Sequence, residues 1–270
     1  MKYKLIATDI DGTLVNDKSE LTERTKNAII KAIKMGVIFV PASGRPLINM
    51  RFLSTLFDED MPFIVYNGAA AYMSKSQKLL FTNYLDFDLA KEVFEIGLKR
   101  DIPQALWVGP RLWVSKICDE TLWYKNLANS IDLTVTKDLD DLKDESKNIF
   151  KLLWLETHEN VLKLQREMKE YFHGRLNCHC SLPLVLEFVS LSAEKGASMA
   201  EIGKLYGIDR SQMIAVGDSY NDVSMLKYAG FSVAVENAHD DIKDICDHIT
   251  LSNNNDGVAA VIEEFILGSI

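Results

Sequence analysis

The sequence predicts an α/β protein: a doubly wound parallel sheet whose two arms are separated by an inserted α+β domain. Three observations predict it. Apolar runs of about four residues, each ending in polar loop formers and followed by a helical pattern, recur near both ends of the chain. The rhythm breaks in the middle, where hairpin signals and all four tryptophans are found. At 270 residues the chain is large for one core and comfortable for two.

The first run, Leu5-Ile6-Ala7-Thr8, has the continuous apolar texture of a strand covered on both faces, and it stops at Asp9-Ile10-Asp11-Gly12-Thr13. A helix is expected over Thr22 to Met35, with Ala28, Ile29, Ala32 and Ile33 on one face and Gly36 stopping it. Val37-Ile38-Phe39-Val40 is the second strand and runs into Pro41-Ala42-Ser43-Gly44-Arg45-Pro46. Phe63-Ile64-Val65-Tyr66 is the third, closed by the turn dipeptide Asn67-Gly68. Strand and helix in alternation imply right-handed crossovers and parallel pairing.

Between about Tyr84 and Glu187 the texture changes. Ala105-Leu106-Trp107-Val108 and Leu112-Trp113-Val114-Ser115 flank Gly109-Pro110 as a hairpin. The first rhythm then resumes. Glu194 to Tyr206 reads as a helix with Ala197, Ile202 and Leu205 inward and Gly207 at its end. Met213-Ile214-Ala215-Val216 is a strand ending in Gly217-Asp218-Ser219. Ser232-Val233-Ala234-Val235 and Ile249-Thr250-Leu251 follow as short strands. A closing helix is expected from an Asp256 cap, burying Val258, Ile262, Phe265 and Ile266.

Bulk properties exclude several classes. With 47% hydrophobic and 26% charged residues the composition is that of an ordinary globular protein, and a net charge of −9 disfavours nucleic acid or anionic membrane as partners. Met1-Lys2-Tyr3-Lys4 leads into the first strand without a signal-peptide pattern, and no run approaches the roughly 20 apolar residues of a membrane span. Four irregularly spaced cysteines suit a reducing compartment, so a cytoplasmic location is expected. Cys178-His179-Cys180 invites a zinc reading, but no second ligand pair accompanies it, and alternation along one strand accounts for it better.

The chemistry lies at the strand ends. Asp9 with Asp11, Ser43, and Asp218 with Asp222 each follow an apolar strand, and carboxyl ends of parallel strands share one crevice. Asp and Ser are common caps and turn formers singly; their joint arrival is what points to a site. Two carboxylates about 4 Å apart repel by roughly 4 kcal/mol at an effective dielectric near 20, so the cluster needs a compensating cation. Oxygen-only ligands suit Mg²⁺, which keeps waters and takes phosphate oxygens. Lys195, followed by Gly196 at a helix amino end, is a second positive group, and Ser43-Gly44 resembles a small anion nest. Carboxylates, magnesium, a lysine and a hydroxyl around one hole make a phosphoryl-transfer site.

In this order, Asp9-Ile10-Asp11-Gly12-Thr13, Ser43-Gly44-Arg45, Lys195-Gly196 and Gly217-Asp218-Ser219-Tyr220-Asn221-Asp222 resemble the four motifs of the haloacid dehalogenase superfamily of aspartyl-phosphate phosphatases. The similarity is to the Cof-type, sugar-phosphatase-like branch, which carries a large C2 cap between the second and third motifs. Tyr66-Asn67-Gly68, Asn237-Ala238 and Asp256-Gly257-Val258 are secondary matches. Departures are Ser192-Ala193-Glu194 before the lysine and Tyr220 where an acidic residue is frequent.

The resemblance implies a Rossmann-like catalytic core over residues 1–83 and 188–270 and a specificity cap over 84–187. It implies Asp9 as nucleophile and Asp11 as general acid and base, with Mg²⁺ held by Asp9, the Asp11 backbone carbonyl and Asp218. Ser43, the amides of Ile10 and Gly44, Lys195 and Asn221 would grip the phosphoryl oxygens. Asp222 would sit behind them, orienting metal waters or Lys195. Thr13 is either a turn former or a prop for Asp11. Arg45 and Asn67 are candidates to touch substrate. Glu187 lies near the expected return hinge. Trp107, Arg111 and Trp113 could reach toward substrate, although tryptophans in a small domain are more often core. The expected reaction is hydrolysis of small phosphorylated metabolites of sugar-phosphate type by a monomer or weak homo-oligomer. Phosphosugar mutase or phosphotransferase activity is one alternative and a non-catalytic phosphate-sensing module another; Asp11, which sensing does not need, argues for turnover.

Overall fold

The computed structural model describes residues 2–130 and 132–268. In chain order the elements begin with β1 (Leu5–Thr8), α1 (Glu23–Lys34), β2 (Ile38–Pro41) and α2 (Arg51–Ser54), then β3 (Pro62–Val65), β4 (Ala70–Met73) and β5 (Leu79–Thr82). The middle holds α3 (Phe87–Lys99), β6 (Gln104–Val108), β7 (Arg111–Val114), α4 (Asp119–Leu127), β8 (Thr134–Val135), β9 (Ile149–Leu155), α5 (His158–Phe172), β10 (Asn177–Leu182) and β11 (Val185–Val189). The last part comprises α6 (Lys195–Tyr206), β12 (Met213–Gly217), α7 (Val223–Tyr228), β13 (Phe231–Val235), α8 (Asp240–Lys243), β14 (His248–Thr250) and α9 (Gly257–Ile262).

The chain divides into two compact units, residues 1–81 with 194–270 and residues 82–193. The first unit is built on a five-stranded sheet ordered β14-β13-β12-β1-β2, with every pair parallel. Its central strand explains the apolar runs: Leu5, Ile6 and Ala7 have no exposed surface, as a strand covered on both faces requires. Leu5 pairs with Met213 on one side and Ile38 on the other. α1 forms where expected, capped by the Thr22 hydroxyl, which accepts from the Thr25 amide at 3.2 Å.

Three expectations need correction here. The third apolar run does not join the main sheet as a full strand. β3 leads a three-stranded sheet with β4 and β5, and an isolated parallel bridge between Ala42 and Ile64 ties it to the end of β2. On α6, Ala197 and Leu205 are exposed; the buried face is Lys195, Gly196, Ser198, Met199, Ile202 and Gly203. Small residues dominate because α6 packs closely on α7, where the Gly196 amide donates to Ser224 Oγ at 3.0 Å. Asp256 immediately precedes α9, but its side chain does not cap it. Its carboxylate instead accepts from the hydroxyls of Thr22 and Thr25, pinning α1 to the carboxyl end. α9 continues as a π-helical turn, Glu263–Leu267, and Phe265 there is only half-buried.

The second unit has a six-stranded sheet ordered β10-β11-β9-β6-β7-β8. All described pairs are antiparallel except β7–β8. One face packs α3 and α5 through Phe94, Leu106, Leu152, Trp154, Met168, Phe172 and Phe188. Trp107 and Trp154 are core, each with its indole N–H satisfied: by the Tyr124 hydroxyl at 3.1 Å and by Gln104 Oε1 at 3.0 Å. Trp113 is half-buried against the same core, Arg111 is exposed, and Trp123 lies largely on the surface. Glu187 is not at a hinge. It is buried in β11, its carboxylate 3.0 Å from the Lys151 ammonium on β9. Cys178 and Cys180 face the apolar core, whereas His179 points the other way, 3.9 Å from Glu187. Burial holds His179 below the ordinary imidazole range, against the pull of Glu187.

Candidate active site

Parallel pairing brings the polar residues together at one edge of the five-stranded sheet. The Asp9 amide donates to the Val216 carbonyl at 3.0 Å, extending the β1–β12 ladder by one rung beyond Thr8. Asp9 therefore emerges beside the end of β12, next to Gly217-Asp218. On the other side the Ala42 amide reaches the Thr8 carbonyl at 2.9 Å, which places Ser43 beside the same loop. The loop after Asp9 is closed by the Ile10 carbonyl, which accepts from Leu14 and Val15 at 3.0 and 3.1 Å.

Lys195 is the centre of the cluster. Its side chain has no exposed surface, and its ammonium lies 2.5 Å from Asp9 Oδ1 and 2.6 Å from Asp222 Oδ1. The two carboxylates hold its pKa above the ordinary lysine value against the desolvation that pulls it down. Asp222 is fully buried, and its other oxygen accepts from the amides of Asp218 and Ser219, both at 3.0 Å. Asp222 thus fixes the lysine and the Asp218 loop together.

Asp9, Asp218 and Asp222 each offer an oxygen within 4.8 Å of the others. Burial pushes the Asp9 carboxyl well up; Lys195 opposes this, and Asp222 and Asp218 reinforce it. Burial also raises Asp218, with hydrogen bonds from Thr13 and Ser219 in opposition. Among the described residues, one ammonium pairs with two of the three carboxylates and none pairs with Asp218, so the cluster carries an excess of negative charge in a desolvated place. A set of hard oxygen donors with that excess fits a divalent cation such as Mg²⁺. Lys195 and two backbone amides engage both oxygens of Asp222, whereas Asp218 has no cation among the described residues on either oxygen and accepts only from hydroxyls.

Asp11 stands apart from this cluster. Its carboxylate is 55% exposed and bonds twice to the Arg45 guanidinium, Nε to Oδ2 at 2.9 Å and Nη2 to Oδ1 at 2.5 Å. The expected repulsion between Asp9 and Asp11 is met by giving each its own cation. Thr13 props a different residue from the one expected. Its hydroxyl donates to Asp218 Oδ1 at 2.7 Å, because the turn after Asp11 faces β12. Ser219 Oγ holds the other Asp218 oxygen at 2.7 Å.

Ser43 is buried, and its amide donates to the Ile64 carbonyl at 3.0 Å, so that N–H is not part of an anion nest. Its hydroxyl oxygen receives the Arg45 amide at 3.1 Å. Asn221 Nδ2 donates to Asn67 Oδ1 at 3.1 Å, and the Asn67 carboxamide lies against Gly44. Tyr220, the departure in the fourth motif, points outward and stacks on His239 with centroids 5.1 Å apart. Sequence reasoning assigned no role to Ser219; the signal was present, because Ser219 and Asp222 have the three-residue spacing of a capping box. Asn237, noted only as a secondary match, donates to the Gly12 carbonyl at 2.8 Å and so braces the loop after Asp9.

The family model for haloacid dehalogenase-like hydrolases matches residues 6–262. The chain belongs to that family. The match spans β1 through α9 and includes all four strand-end motifs of this haloacid dehalogenase-like hydrolase. A phosphatase described as putative from Buchnera aphidicola subsp. Schizaphis graminum is 30% identical to it, over 97% of this chain and 95% of the relative. A 5-amino-6-(5-phospho-D-ribitylamino)uracil phosphatase of Bacillus subtilis is 28% identical, over 98% and 99%. Among solved structures, a haloacid dehalogenase-like hydrolase from Bacteroides thetaiotaomicron superposes with a TM-score of 0.85 at 30% identity, covering 98% of this chain and 100% of that one. No helix among the described residues is long and apolar enough to cross a membrane.

Proposed function

We propose that this enzyme is a Mg²⁺-dependent phosphatase that hydrolyses small phosphorylated metabolites, of sugar-phosphate type, through an aspartyl-phosphate. The observation that carries the reading is the buried Asp9–Lys195–Asp222 chain beside Asp218. It combines a carboxylate able to accept a phosphoryl group, a cation to neutralise that group's oxygens, and a hard-metal donor set. The ribityl phosphate ester named for the Bacillus relative belongs to the proposed substrate class.

Asp9 and Asp218, with the Asp11 backbone carbonyl, would hold the metal. When bound, it would neutralise charge developing on the phosphoryl oxygens. Asp9 Oδ attacks phosphorus and the ester P–O bond breaks. Asp11 gives a proton to the departing oxygen. A water then attacks the aspartyl-phosphate, passes its proton to Asp11, and the Asp9–phosphorus bond breaks to release inorganic phosphate. The exposure of Asp11 supports this division of labour, since a proton donor must reach a leaving group outside the buried cluster. Lys195, Ser43, Asn221 and the amides of Ile10 and Gly44 are the proposed phosphoryl contacts. Residues 82–193 are the proposed specificity domain.

The test is phosphate release from a panel of phosphorylated metabolites with Mg²⁺, alongside Asp11→Asn assayed on p-nitrophenyl phosphate. Release by the wild type and a loss of roughly 10²- to 10⁴-fold in the variant are expected for a general acid–base group. A wild type that releases no phosphate from any ester sinks the hydrolase reading; a variant equal to wild type sinks the Asp11 assignment alone.

A further inference from the structure

β3 is followed by three consecutive residues with positive φ: Tyr66 at 52°, Asn67 at 56° and Gly68 at 99°. Glycine accepts such backbone freely and asparagine tolerates it, but it is an outlier for tyrosine, so the surroundings must impose it. The neighbours of the turn show what it accomplishes. The Asn67 amide donates to the Ser43 carbonyl at 3.0 Å and the Tyr66 amide to the Arg45 carbonyl at 3.1 Å, holding the Ser43–Arg45 segment along its length. Gly68 abuts the residue before Lys195: a Cβ on it would stand 2.4 Å from the Glu194 carbonyl carbon. Its own carbonyl receives the buried Ser198 hydroxyl at 2.9 Å, which docks the first turn of α6. The Asn67 side chain completes the set, pressed on Gly44, where a Cβ would lie 2.9 Å from Asn67 Oδ1, and accepting from Asn221 Nδ2. One turn therefore touches three of the four segments that build the site.

We propose that Asn67 is a positioning residue, whose Oδ1 takes one hydrogen of the Asn221 amide and so aims the second Nδ2 hydrogen, rather than the Asn221 oxygen, at the phosphoryl group. The inference rests on the reading of Asn221 as a phosphoryl contact. The two ends of a carboxamide are nearly identical in shape and opposite in hydrogen bonding. Turned over, Asn221 would present a lone pair to an anion; an acceptor behind its nitrogen removes that alternative. Asparagine supplies this acceptor without charge and accepts the left-handed backbone, whereas aspartate would add a negative charge beside the anion.

Asn67→Gly accommodates the positive φ of 56° and removes the whole side chain, the carboxamide included. It is compared with Asn221→Ala and with the double variant in kcat/KM on p-nitrophenyl phosphate, and in the affinity for inorganic phosphate by calorimetry with Mg²⁺. Each single variant is expected to lose roughly 10- to 100-fold in both quantities, and the double variant to be no worse than Asn221→Ala. Losses that multiply mean that Asn67 acts independently, on substrate itself, and overturn the inference while leaving Asn221 in place. A loss in Asn67→Gly confined to kcat, with phosphate affinity unchanged, overturns it as well. If Asn221→Ala matches wild type, the phosphoryl contact and the inference fall together, whereas the release assay above judges the phosphatase reading separately. Should Asn67→Gly not fold, Asn67→Ser carries the same cycle.

Discussion

At the residue scale, the site is a set of side chains that each hold another in place. Thr13 is the simplest case, because its hydroxyl has one described acceptor, Asp218 Oδ1. Thr13→Val keeps the shape and deletes the donor, at a cost of about 1 kcal/mol in the net worth of a hydrogen bond. The Mg²⁺ concentration for half-maximal activity is expected to rise several-fold in Thr13→Val and to stay near wild type in Thr13→Ser; titration of activity against Mg²⁺ decides it. Much of this scale was legible in the sequence. Asp9, Asp218 and Asp222 do converge, because strand-end position fixes where a residue emerges, and Lys195 joins them from the start of α6. What a side chain then grips was not legible. Nothing in Asp9-Ile10-Asp11-Gly12-Thr13 indicates that Thr13 faces Asp218 or that Arg45 takes Asp11. Those pairings depend on the direction of turns, which sequence spacing does not encode.

At the element scale, short strands were read well because a buried parallel strand is a continuous apolar run, as Leu5 to Thr8 and Met213 to Val216 show. α6 was misread for a related reason. Its buried face holds Gly196, Ser198 and Gly203, small residues that permit close packing but carry no hydrophobic signal, while Leu205 is left in solvent. β10 offers a test of how tightly the second unit packs. Burial pushes the Cys178 thiol up to about 12, against a weaker pull from Lys169. A thiol whose pKa is raised on folding stabilises the fold fully below its unfolded value near 9, and that contribution is lost as pH rises toward 12. Thermal midpoints of wild type and Cys178→Val should therefore diverge above pH 9, with the wild type falling faster. Parallel curves would show that the strand opens to solvent at alkaline pH before the thiol titrates.

At the scale of the whole molecule, the excess charge of the Asp9–Asp218–Asp222 cluster sets the link between metal and stability. A ligand that binds only the folded chain adds about 2.7 kcal/mol at 100 times its dissociation constant. Mg²⁺ is expected to raise the melting temperature of the wild type and to leave Asp218→Asn nearly unchanged; calorimetry with and without chelator measures both. Equal shifts in the two proteins would mean that the ion acts elsewhere. The parallel sheet has one more consequence. β1, which carries Asp9, takes β2 from its own end of the chain on one flank and β12 from beyond residue 194 on the other. During synthesis the first 81 residues emerge with that strand's second edge unpaired, and more than a hundred residues of the second unit must follow before its partner exists. A chain interrupted before α6 has a naked strand edge and no Lys195, so Asp9 emerges long before the cation and the strand that flank it in the folded unit.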